Sequence, residues 1–189
     1  YRARALESAF RVVATGRDLE RLRATVPDLG ELPGCLISNS SGFIGLASFL
    51  PTYFYDQFKV TKVEAGQLTM LATLMGSAVR VVGGYVSDRI GGVTTLSVVL
   101  AIVSVTLVLC GMAGQSLVVT TLLFMLCFAA FGAGNGALFQ LVPLRWPVTT
   151  AVAGSMIGEI GALGGGFIPN AMGQSKQITD SYLWGFVSF

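Results

Sequence analysis

An all-α, polytopic membrane bundle is the fold class this sequence predicts, and three observations predict it. The 189-residue chain is 53% hydrophobic and 12% charged, with a mean hydropathy of +0.71. A soluble domain is nearer a quarter charged. Apolar runs of about 20 residues, the length that crosses ~30 Å of hydrocarbon, recur from residue 34 onward. The polar breaks between them are short, which makes consecutive helices antiparallel neighbours. Helices are the spanning form for such runs, because every backbone polar group in lipid must pair within its own segment.

Residues 1–33 form a separate compartment, a solvated and partly helical arm or loop. Six arginines (Arg2, Arg4, Arg11, Arg17, Arg21 and Arg23) alternate there with Glu7, Asp18, Glu20, Asp28 and Glu31. The transmembrane bundle is expected over 34–189, with spans at about 34–55, 66–87, 93–113, 117–141 and 149–172 and a sixth beginning near Tyr182. Its breaks read "DQFKVTKVEAG", "SDRIGG", "AGQS", "LVPLRWP" and "GQSKQITDS". Alternate breaks share a side, and the arginines of the arm place residues 1–33, 88–92 and 142–148 in the cytoplasm. The chain begins at Tyr1 and closes on "WGFVSF", a few residues into an apolar run. It therefore reads as a fragment of a longer protein.

Composition also excludes. A formal net charge of +2 is too small for a nucleic-acid partner, and there is no histidine. Cys35, Cys110 and Cys127 lie in apolar runs at unrelated spacing and read as small buried hydrophobes. No nucleophile–base pair or metal cluster stands out, so no enzyme, cofactor or metal is expected.

The residues that can carry chemistry are polar groups inside the spans. Arg80 stands deep in "GSAVRVVGGYVSDRIGG". A guanidinium costs roughly 3 kcal/mol at a bilayer centre even on the lenient insertion scale. Its neighbours one turn away, Gly76, Ser77, Gly83 and Gly84, leave a slot open to another helix or a ligand. The planar fork suits an oxyanion; the alternative is a structural arginine paired with a carboxylate or helix-end carbonyls. Asp88 and Arg89 mark a tight turn between helices. Asn135, with Phe131 and Phe139 one turn away, can orient a small polar ligand or pin two helices together. In "GSMIGEIGALGGGFIP", Gly154, Gly158, Gly161 and Gly165 share a face, suited to close packing or to backbone approach to a substrate. Glu159, near the middle of that span, is either a proton-coupling carboxylate or a neutral, hydrogen-bonded acid.

"GGYVSDRIGG" resembles the G-x-x-x-D-R-x-G loop of the major facilitator superfamily. "GFIGLASFLPTYFYDQF", "GNGALFQLVPLRWP" and "GEIGALGGGFIPNAMG…SKQ" narrow the resemblance to its nitrate/nitrite porter family, over about residues 42–189. The resemblance implies the C-terminal six-helix half of that fold, with five full spans and the start of a sixth. It implies that Arg80 is one of two arginines that hold the anion, the other lying in an N-terminal half missing here. It implies that the glycine run, with Gly161, Gly164 and Gly165, belongs to the nitrate-signature region. The loop departs from the superfamily pattern in ending Gly91-Gly92, and Leu36 and Ser40 stand where this family usually places aromatic residues near the anion.

The expected function is secondary transport of nitrate or nitrite across the inner (cytoplasmic) membrane by alternating access. Arg80 would supply charge and Asp88 and Arg89 would bias the end states. The partners are then the anion, the lipid bilayer and the missing N-terminal half. The rivals are a proton-coupled exporter of organic solutes working through Glu159, and a non-transporting membrane interaction module.

Overall fold

The structure, a computed structural model, describes residues 32–112, 116–179, 182 and 185–186, and of residues 32–37 and 145 the backbone alone. Of the arm expected over residues 1–33, residues 1–31 lie outside the described residues, as does most of the sixth apolar run, and residues 32 and 33 belong to the first described helix. Among the described residues there are five helices and no strand: α1 (Leu32–Phe58), α2 (Lys62–Ile90), α3 (Gly92–Met112), α4 (Leu117–Arg145) and α5 (Thr150–Thr179). Four of them, α2 to α5, are long and apolar enough to cross a membrane. The first of the five expected spans, α1, is a helix of 27 residues that falls outside this group. Ser38, Asn39, Ser40 and Ser41 lower the hydropathy of α1 although it runs 27 residues.

Local chemistry sets the connections. Lys59 adopts φ 54, a left-handed conformation that ends α1 while its N–H still donates to the Tyr55 carbonyl at 3.1 Å. Thr61 then opens α2 with a capping box. Its Oγ1 accepts from the Glu64 N–H at 3.2 Å, and Glu64 Oε2 accepts from the Thr61 N–H at 2.9 Å. At the far end α2 runs on through Asp88 and Arg89, so these two residues sit in a last helical turn instead of the tight loop expected for them. The reversal is left to Gly91, whose φ of 92 is readily adopted only by glycine.

The helices pack as two units. α2 packs most extensively against α4, which also carries α3, and α1 packs most extensively against α5. Glycine makes the α2–α4 approach possible. A Cβ on Gly76 would lie 2.6 Å from the Phe128 carbonyl oxygen, and one on Gly132 would collide with the Gly76 carbonyl. Ser87, fully buried on α2, donates to Gln140 Oε1 of α4 at 2.6 Å. The main core is aromatic: Phe49, Tyr53, Phe54, Phe124, Phe128 and Phe131 join Tyr182 and Phe186. Cys110 and Cys127 are buried free thiols within it. Leu74, Leu122, Leu163 and Phe167 are exposed, which in lipid is the stable arrangement.

Candidate anion site

Arg80 is half-buried on α2, about 15 Å of helix from the Ile90 end and about 27 Å from the Lys62 end. Two rings approach its guanidinium. Phe43 of α1 lies 6.0 Å away and Phe139 of α4 lies 5.9 Å away, ring centroid to Cζ. Both distances are within cation–π range. Arg80 Nε is buried and has no hydrogen-bond partner. A charged donor left unpaired in a spanning helix is costly.

Asn39 of α1 and Asn135 of α4 stand at the same depth. Asn39 Nδ2 donates to Asn135 Oδ1 at 3.1 Å and to the Phe131 carbonyl at 3.3 Å. Both residues are buried. Phe43 follows Asn39 by one turn, and Phe139 follows Asn135 by one turn, on helices that run antiparallel. The Cα positions of Phe43 and Phe139 therefore lie to opposite sides of the asparagine pair, about 12 Å apart along the bundle by helix rise. The Arg80 guanidinium lies about 6 Å from each ring.

The sequence-derived site residues divide. Gly76 and Gly83 do form a small face beside Arg80, but α4 fills it: a Cβ on Gly83 would collide with the Ala133 backbone. Gly84 is looser, with the Gly136 carbonyl 3.8 Å from a Cβ there, and Ser77 is exposed. Asn135 makes the helix-to-helix hydrogen bond, the pinning alternative of its two readings. Gly161, Gly164 and Gly165 face α1, not Arg80. A Cβ on Gly161 would lie 2.6 Å from Ser40 Cβ, one on Gly164 2.5 Å from the Ser41 carbonyl oxygen, and one on Gly165 3.1 Å from Ile44 Cγ2. Their structural role is close packing of α1 on α5. Glu159 is exposed on the far side of α5 from that contact, with no partner among the described residues. Arg89 stacks on Tyr85 at 4.6 Å and donates to its hydroxyl, while Asp88 is exposed.

Sequence reasoning missed Phe43 and Asn39 and named Phe139 only as a neighbour. A faint signal existed, since Asn39/Phe43 and Asn135/Phe139 are each four residues apart and so share a helix face. Which two faces meet is tertiary information.

Comparison with known proteins gives the same direction. The family model of the Major Facilitator Superfamily matches residues 7–169, reaching into the arm that the sequence sets apart. A probable nitrate/nitrite antiporter, NarK1, of Thermus thermophilus is 33% identical over 145 residues, covering 67% of this chain and 33% of the relative. A probable nitrate transporter, NarT, of Staphylococcus carnosus is 29% identical over 139 residues, covering 74% of this chain and 36% of the relative. Its namesake in Staphylococcus haemolyticus is 28% identical with the same coverage. The chain spans about a third of the length of the curated relatives it matches.

Proposed function

The chain belongs to the Major Facilitator Superfamily and is multi-pass in the cell membrane, and from that premise we propose that the carrier it helps to build moves nitrate or nitrite by alternating access. The observation that carries the reading is the Arg80 guanidinium, bridged between Phe43 and Phe139 with a buried, unpaired Nε–H. A flat trigonal anion can accept hydrogen bonds from the fork in its own plane. The two rings lower the local dielectric beside the fork, which raises the worth of each charge-assisted bond. Carriers of this kind place the site between two halves of the molecule, and rocking of the halves opens it to each side in turn. Asp88 and Arg89, at the end of α2, would bias one of the end states.

The test is nitrate binding to the folded full-length carrier. Arg80→Lys keeps the charge and loses the fork, so binding should weaken about ten- to a hundredfold, the value of one charge-assisted hydrogen bond. Arg80→Ala should abolish it. Wild-type binding in both variants would end the anion-site reading. Exposed Glu159 supports a second reading, a proton-coupled exporter of organic solutes. Proton flux with organic substrates, lost in Glu159→Gln and indifferent to nitrate, would decide for that rival.

A further inference from the structure

The two packed units meet along a seam, and the rings at Arg80 stand on opposite sides of it. Phe139 belongs to α4, in the unit that also holds Arg80, whereas Phe43 belongs to α1, which packs most extensively on α5. The gap between the rings therefore depends on how firmly α1 is held to α4. Asn39, one turn before Phe43, crosses the seam, with one amide nitrogen donating to both Asn135 Oδ1 and the Phe131 carbonyl. We propose that the Asn39–Asn135 pair is a positioning device that fixes this gap and so selects flat anions at Arg80. The proposal rests on the anion-site reading above.

The pair is poorly explained as a stabilising contact alone. A hydrogen bond between membrane helices averages well under 1 kcal/mol, because the separated helices also find partners. Against that small gain, Asn39 is fully buried and its Oδ1 receives no hydrogen bond. The carboxamide is also tightly seated. A Cβ on Gly134 would come 2.9 Å from Asn39 Cγ and closer still to Oδ1, so the amide fits because α4 has glycine there. What an amide offers over an apolar side chain of similar size is direction: two bonds from one nitrogen, to acceptors borne by Phe131 and Asn135 of α4, hold the register of α1. Phe43 is otherwise held by its edge-to-face contact with Phe128, at 5.2 Å between centroids, which resists approach but not sliding.

The experiment uses the full-length carrier, with nitrate and chloride as probes; chloride is a sphere and has no plane to match. Asn39→Ala and Asn135→Ala should each lower the preference for nitrate over chloride by about three- to tenfold, the range of one neutral hydrogen bond. The double variant should be no worse than the poorer single one, because both remove the same interaction. Asn39→Ser, the milder change, covers the case in which Asn39→Ala does not fold. Without any anion, spin labels at Ser48→Cys of α1 and Leu144→Cys of α4 should show a broader distance distribution in the asparagine variants. An unchanged preference, an unchanged distribution or additive single effects in folded protein would each overturn the proposal. A wild-type carrier that binds no nitrate, or an Arg80→Ala carrier that binds it normally, overturns the site reading and the pair's role together. That result is distinct from a carrier that binds nitrate through Arg80 and ignores Asn39.

Discussion

Phe139 and Phe43 lie equally close to Arg80 yet are held differently, and under the proposed anion-site reading that difference separates a binding role from a packing role. Phe139 is 59% exposed, so removing its ring costs the fold little. Phe43 packs on Phe128 and against Gly76, where a Cβ would lie 2.9 Å from Phe43 Cε2. Phe139→Leu should weaken nitrate binding about two- to thirtyfold, the span of cation–π energies from exposed to desolvated sites, and leave thermal stability unchanged. Phe43→Leu should lower both. Titration of nitrate beside a melting curve on each variant checks this, and a Phe139→Leu protein that melts early but binds normally would reverse the assignment. Arg80 was legible in the sequence because a charge in a lipid-length run has to be explained. The rings were not, since an aromatic residue in an apolar run costs nothing and carries no signal until its neighbour across the bundle is known.

Among the helices, glycine works by position rather than by number. Gly132 lies where a Cβ would run into the Gly76 carbonyl, whereas Gly66, on the first turns of α2, has nothing within 4 Å. Gly132→Ala should therefore destabilise the carrier by about 1–3 kcal/mol, the usual cost of overpacking. Gly66→Ala should be neutral or stabilise by up to about 1 kcal/mol through helix propensity. Thermal unfolding in detergent reads both, and equal melting temperatures would show that α2 and α4 are not in backbone contact. The sequence showed that the faces of Gly76 and Gly83, and of Gly161 and Gly165, were small; it did not show what would lie against them. A helix fills each, because in lipid close backbone approach is itself the means of association. The T-x-x-E of Thr61 to Glu64 could have been read as a helix start from its spacing alone. The D-R pair instead drew attention to a loop, although α2 continues to Ile90 before Gly91 reverses the chain.

For the whole molecule, the residues near Arg80 make one wall of a site rather than an enclosed one. Arg80 is only half-buried, Phe139 is mostly exposed, and Glu159 faces away from the α1–α5 contact. Charged groups such as Arg80 and Glu159 are costly against lipid, and under the proposed reading further protein covers them in the working carrier. The relatives are about three times the length that this chain spans on them. In a carrier built from two repeats, the substrate sits between them and each repeat supplies part of the wall. Residues 1–189 alone, reconstituted in vesicles, should accordingly show no saturable nitrate flux above empty vesicles, because a one-walled site cannot be closed to either side. The full-length carrier in the same vesicles should show flux that saturates and that is lost in Arg80→Ala. Saturable flux from residues 1–189 alone would mean that the described helices close a site among themselves, and the two-halved mechanism would then have to be given up.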